Sequence, residues 1–192
     1  MRNNYILSEF LANIYSWVFT KIYYPQARLI RCPVYIRGRK SLKIMSKLTT
    51  GHHCRFDLPG DKETLYFGNN CEIGDNVHIV AHEYVKIGNN VLVASKVFIS
   101  DTSHGIYNGV HQSSPTSTPN ERDLKTSQVI IGDNVWIGEN VVILPGSRIG
   151  NGSIVGANAV VQGEVVENTI VVGIPAKAIK KFDFEKKSWE RC

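Results

Sequence analysis

The stretch IIGDNVWIGENVVILPGSRIG, residues 130–150, sets an aliphatic residue before Gly at Ile131, Ile137 and Ile149, spaced by six or a multiple of six. An α-helix repeats its face about every 3.6 residues and a flat strand every two, so a sustained six means that the chain turns a corner at every sixth position. The period runs on as IGDNVW, IGENVV, ILPGSR, IGNGSI, VGANAV and VQGEVV, led by Ile or Val with Val, Ser or Ala in fifth place. Earlier hexads start at Phe67, Ile73, Ile79, Ile87, Val93 and Ile99. The step from Ile79 to Ile87 is eight, which predicts a two-residue bulge near residues 83–86.

The leading aliphatic and the small fifth residue point inward, while the Gly, Asn and Asp between them suit tight turns with positive φ. Each face is then a short strand, and each coil gives the next its backbone hydrogen-bond partners, as in other solenoids. Before Leu65, YIRGRKSLKIMSKLTTGHHCRFD keeps an irregular version of the pattern and reads as the first, degenerate coils. From residue 105 to 127 the rhythm stops in a run rich in Ser, Thr, Pro and Asn, which predicts a loop protruding from a corner. A long loop inside a compact repeat points to function.

These repeats resemble the hexapeptide-repeat acyltransferase family, from about Val34 to Lys181. The resemblance implies an all-β fold, a left-handed parallel β-helix of triangular section, occupying residues 34–181 with the loop 105–127. Residues 1–33 form a lead-in with an N-terminal helix. The segment AKAIKKFDFEKKSWER is expected to end the chain as a short helix, with residues 182–192 as a tail.

Composition bounds the rest. A chain of 192 residues with 43% apolar content suits a soluble globular protein. Net charge is +5, which fits an anionic ligand but is too diffuse to call for nucleic acid. Cys32, Cys54, Cys71 and Cys192 form no C-x-x-C pair, which speaks against a metal knuckle or a disulfide framework and for a reducing cytoplasm. Cys71 occupies a small fifth slot and is expected to be buried.

At the N-terminus, Leu7, Phe10, Leu11, Ile14, Trp17, Val18 and Ile22 recur at helical spacing and Pro25 ends the helix. Glu9, Asn13 and Lys21 interrupt the apolar run, so neither a bilayer span nor a signal peptide is expected. The first expectation is that the stripe packs on its own protein or a partner subunit, covering the open end of the solenoid. The second is that it lies in the interface of the inner membrane.

The chemistry follows from the resemblance. In ISDTSHG the family's D-x-x-H motif falls on Asp101 and His104, which makes His104 the base that deprotonates an attacking hydroxyl; Asp101 either orients the ring or closes a turn. Imidazole is both basic and largely neutral near neutral pH, as that task requires. Similarity to galactoside and maltose acetyltransferases over VWIGE implies that the Glu139 backbone N–H meets the developing oxyanion and that Trp136 walls the groove. The C-terminal signature implies acetyl-CoA as donor, with Ala157 and Gln162 along its pantetheine arm and Lys177 and Lys180 facing its phosphates.

The family further implies a homotrimer with sites between subunits, each using His104 from one chain and cofactor groups from the next. Together the motifs look most like O-acetyltransferases of bacterial surface polysaccharides, with a carbohydrate acceptor in the cytoplasm or at the inner membrane and no metal. Two rivals share the fold. One is a γ-type zinc carbonic anhydrase using His78, His82 and His104, and the other is a non-catalytic scaffold.

Overall fold

The computed structural model describes residues 6–192, so Tyr5, which opens the helical stretch, lies outside the described residues. Three parallel sheets form the three faces of a prism. The first face stacks strands from Leu29–Ile30 through Leu92–Val93 and Trp136–Ile137 to Thr169–Val172. The second runs from Tyr35–Arg37 to Val160–Val161, and the third from Leu42–Ser46 to Glu164–Val165. The chain visits the faces in rotation, so each coil lands on the previous one in register, as in Val93↔Ile137↔Val155.

The period of six is the cause. Every leading residue from Phe67 to Val161 is at most 4% exposed, and so are the fifth-place residues Cys71, Val77, Val91, Val97, Val135, Val141, Ser147, Ser153 and Ala159. Fully burying a Val, Ile or Phe side chain stabilises by about 1.5–3 kcal/mol, so this column of aliphatics drives the fold. Corners are set by residues with positive φ, among them Asn70, Asn90, Asn134, Asn140 and Asn158, the residue type that visits this region most readily after Gly.

Side chains also staple corner to corner. The N–H of Asn69 donates to Asn89 Oδ1 (2.8 Å), that of Asn89 to Asp133 Oδ1 (2.7 Å), and that of Asp133 to Asn151 Oδ1 (2.7 Å). The backbone and side-chain N–H groups of Asn89 hold the Asp133 carboxyl below its usual range. This staple's contribution is therefore present above about pH 4 and lost as the pH falls through the folded pKa.

Four expectations need correction. The solenoid starts at Leu29, before Val34, because Leu29–Ile30 already pairs with Thr49–Thr50. The two extra residues of the bulge fall within 81–84, so Val85 and Lys86 already belong to the strand Val85–Ile87. The C-terminal segment is not a helix: Lys177–Asp183 pairs antiparallel with Thr169–Val172, and Ser188–Arg191 pairs with Lys177–Asp183. The last coil leaves a row of unpaired backbone groups, which a returning strand satisfies and a helix does not. Phe182 then packs edge-on against Phe184 and Trp189, so residues 182–192 belong to the sheet.

The fourth correction concerns the helix Leu7–Tyr23. It lies on the first coil, but through its polar stripe. Thr20 Oγ1 accepts the Ile30 N–H (2.8 Å) and Ser16 Oγ accepts the Cys32 N–H (3.0 Å). The apolar stripe faces outward, from 43% exposed at Val18 to 73% at Leu7.

Cys54 and Cys71 are buried, Cys32 is partly covered and Cys192 is exposed. Burial pushes the Cys54 thiol up to about 11, where it carries almost no thiolate at neutral pH. Mass-mapped labelling of the native protein should modify Cys192 first and Cys32 more slowly. Labelling of Cys54 or Cys71 without denaturant would contradict this packing.

Candidate active site

The break in the repeat lies at the corner between the second and third faces. Thr102–His104 leaves that corner and pairs antiparallel with Leu124–Thr126, so the excursion has a hydrogen-bonded stem. Asp101, at its base, is fully buried. Its carboxylate accepts the N–H groups of His82 (3.0 Å), Glu83 (2.8 Å) and Tyr84 (2.9 Å) and the Thr102 hydroxyl (2.6 Å). Those four donors give Asp101 the turn-closing role: it ties the bulged coil to the excursion.

His104 is exposed at the end of the stem. Alternation along the ribbon sets it on one face with Leu124, while Ser103 and Lys125 take the other. Ser103 and Lys125 border a groove of about 460 Å³, closed below by Leu144, Pro145 and Gln162. Past the residue that follows His104, a second device fixes the turn. The Tyr107 hydroxyl donates to the His104 carbonyl, and Arg122 donates to the Tyr107 oxygen (2.9 Å), to Ser117 Oγ (3.0 Å) and to the Ser117 carbonyl (2.7 Å). Gly105, at φ +109°, leaves room for that tyrosine; a Cβ there would lie 2.6 Å from its oxygen.

Trp136 and Glu139 stand elsewhere. Trp136 projects, half-exposed, from the first face, and Glu139 lies at the corner between the first and second faces. At that corner the staple fails in an informative way. The His52 N–H donates to Asp75 Oδ1 and the Asp75 N–H to Ser95 Oγ, each reaching the side chain stacked on the next coil. The residue stacked on Glu139 is Ala157, with its nitrogen 2.7 Å from a Cβ built on Gly138. Ala157 has no side-chain oxygen, and no described residue accepts the Glu139 N–H.

Within one chain the residues expected at the site stand on two edges of the prism. Glu139 and Ala157 share one edge, with Trp136 on the face beside it. His104 and Gln162 share the other edge. A neighbouring groove joins Gln162 to Lys177 and adds Lys181, while Lys180 pairs opposite Ile170 outside that groove. Tyr107 and Arg122 had no periodic signal, since their partners are set by the folded loop. The rival zinc set does not converge: His78 bonds Asp57 (2.9 Å) on the second face, and no group of three His, Cys, Asp or Glu able to hold a metal occurs among the described residues.

Comparison with known proteins agrees with this architecture. The family described as bacterial transferase hexapeptide (six repeats) matches residues 128–163. Across 100% of this chain and 98% of the relative, the sequence is 43% identical to WbbJ of Escherichia coli strain K12, provisionally named a lipopolysaccharide biosynthesis O-acetyl transferase. A galactoside acetyltransferase solved in complex with coenzyme A is 27% identical over 78% of this chain and 70% of its own, with a TM-score of 0.59. AntD, an N-acyltransferase from Bacillus cereus solved with dTDP and 3-hydroxybutyryl-CoA, superposes over 96% of this chain and 93% of its own. Its TM-score is 0.71 at 21% identity, a likeness of fold.

Removing the Asp101 carboxylate strands three backbone donors, which should cost on the order of 3 kcal/mol. Asp101→Ala is thus expected to lower the unfolding midpoint and activity together. Unchanged stability would contradict the turn-closing role. Tyr107→Phe keeps the ring and removes the hydroxyl, so kcat should fall several-fold with KM for the donor unmoved; a shift in KM alone would show that the tyrosine does not position His104.

Proposed function

We propose an activity from the premise that this chain belongs to the hexapeptide-repeat acetyltransferase family: it transfers acetyl from acetyl-CoA to a sugar hydroxyl of a bacterial surface polysaccharide or its precursor. Full-length identity of 43% to a relative named for lipopolysaccharide O-acetylation supports the acceptor class. The single observation that supports the mechanism is that His104 and the Glu139 N–H stand on two different edges of the prism. An imidazole on one edge and a free N–H donor on the other can serve one reaction if two copies of the chain meet edge to edge.

The surface supports such a meeting. The first face exposes an apolar row, Leu92, Trp136, Ile154 and Ile170, and the second carries Phe98, Val142 and Val160. The third face presents Lys86, Arg148 and Glu164, suited to water. A closed ring of three chains, each offering both edges, would form three equivalent sites.

The residues fit coenzyme A. The Glu139 N–H is unspent, Ala157 leaves the corner open, and Gln162 and Lys177 line one groove, where a lysine serves as a point charge for phosphate. Acetyl-CoA supplies the acetyl group as a thioester. His104 takes the proton from the acceptor hydroxyl as its oxygen bonds to the acetyl carbon, and the Glu139 N–H of a neighbouring chain donates to the carbonyl oxygen as charge develops there. His104 then returns the proton to the departing sulfur, so no covalent bond to the enzyme forms. Acetyl-CoA and sugar precursors are made in the cytoplasm, which sets the reaction there.

His104→Ala should reduce kcat by about two to four orders of magnitude with unfolding and donor KM nearly unchanged. The measurement is thiol release from acetyl-CoA with oligosaccharide acceptors. A loss of only a few-fold would remove His104 from the base role, and no thiol release with any glycan would remove acetyl transfer.

A further inference from the structure

We propose that the N-terminal helix and the first two coils form a docking surface for an anionic lipid bilayer. The first observation is the inverted helix. Ser16 and Thr20 face the protein, and at 100° per residue the side chains diametrically opposite them are Leu7, Leu11 and Val18, flanked by Ile14 and Ile22. That crest is exposed along its whole length. Tyr15 and Trp17 are also exposed, the residue types that favour the boundary between acyl chains and headgroups. No described helix is long and apolar enough to cross a membrane, so the geometry is that of a helix lying in the surface plane.

The second observation is charge segregation. Residues 7–56 hold nine Lys and Arg against Glu9 alone, whereas residues 57–192 hold 12 Lys and Arg against 16 Asp and Glu. Of charged residues the helix itself carries only Glu9 and Lys21, so the net positive charge of the chain is concentrated on the coils it touches. Arg28, Arg37 and Lys43 are paired with carboxylates further along the chain, and Arg55 with Asp57 of its own strand. Lys21, Arg31, Arg39, Lys40 and Lys47 have no carboxylate partner among the described residues. Arg39 lies over Tyr23 and Tyr24 at 5.2 and 4.9 Å, which fixes a guanidinium at the helix C-terminus.

An apolar crest with uncompensated cations beside it complements anionic headgroups over acyl chains. A second copy of this chain would bring the same positive charge to the same place. Docking would hold the transferase where lipid-linked glycans are assembled. That purpose rests on the acetyl-transfer proposal; the lipid contact does not.

The test is flotation of the full chain with vesicles of equimolar phosphatidylglycerol and phosphatidylcholine, and with phosphatidylcholine alone. Leu11→Glu with Val18→Glu, and separately Lys40→Glu with Lys47→Glu, are compared by the same flotation, by light scattering for mass and by circular dichroism for folding. The wild type should float with the anionic vesicles, and each double variant should lose at least tenfold in partition with mass and spectrum unchanged. Added salt should weaken binding, since the Debye length shrinks to about 3 Å at 1 M. Equal or absent binding to the two vesicle types would overturn the proposal. So would a crest variant that changes the oligomeric mass yet still floats, because the crest would then seat a second copy. Thiol release with a soluble acceptor, read in parallel, tests acetyl transfer separately.

Discussion

Every coil must return its backbone to the same three edges at the height of its neighbours, or the hydrogen-bond ladder between coils fails. That requirement explains why most strands are short, why asparagines with positive φ sit at corners, and why aliphatics repeat at six. It also dictates where departures are tolerated. Extra residues fit at a corner, where the chain already leaves the sheet, and residues 58–64, the bulge and the excursion all lie at the edge between the second and third faces. Asp101 joins the last two, so the bulge within 81–84 and the excursion that carries His104 act as one unit.

The same geometry keeps the residues expected to react apart within one chain. The second face separates His104 from Glu139. On the proposed reading one edge brings the His104 imidazole and the other the Glu139 N–H, which no described residue accepts. The third face, with Lys86, Arg148 and Glu164, has the polarity of a surface left to solvent. The apolar rows of the first and second faces want cover.

Much of this was legible in the residues because the decisive signal is periodic. From Ile73 onward the hexads named the inward positions, and the break in them located the excursion. Legibility ended where a partner is distant in sequence. The spacing of Leu7 to Ile22 identified an apolar stripe but not which side docks, and the fold chose Ser16 and Thr20. The Ala, Lys and Glu of the C-terminal segment suit a helix, yet the open edge at Thr169–Val172 recruited it as a strand. Lys177 and Lys180 pair opposite Val172 and Ile170, alternate residues of one strand, so the irregularity between Ile170 and Val171 sets them on one face of the sheet. Asp101 had two readings in sequence, and its four donors favour the turn-closing one.

The claim that the site is shared between chains is tested most directly by subunit mixing. Chains carrying His104→Ala are refolded in equal amounts with chains carrying Ala157→Trp, which fills the other edge, each variant alone being inactive. If each site takes one edge from each of two chains, random trimers regain roughly a quarter of wild-type activity, because some interfaces join two unaltered edges. Activity that stays at the level of the separate variants would mean that both edges serve within one chain, and a site shared between subunits would be refuted.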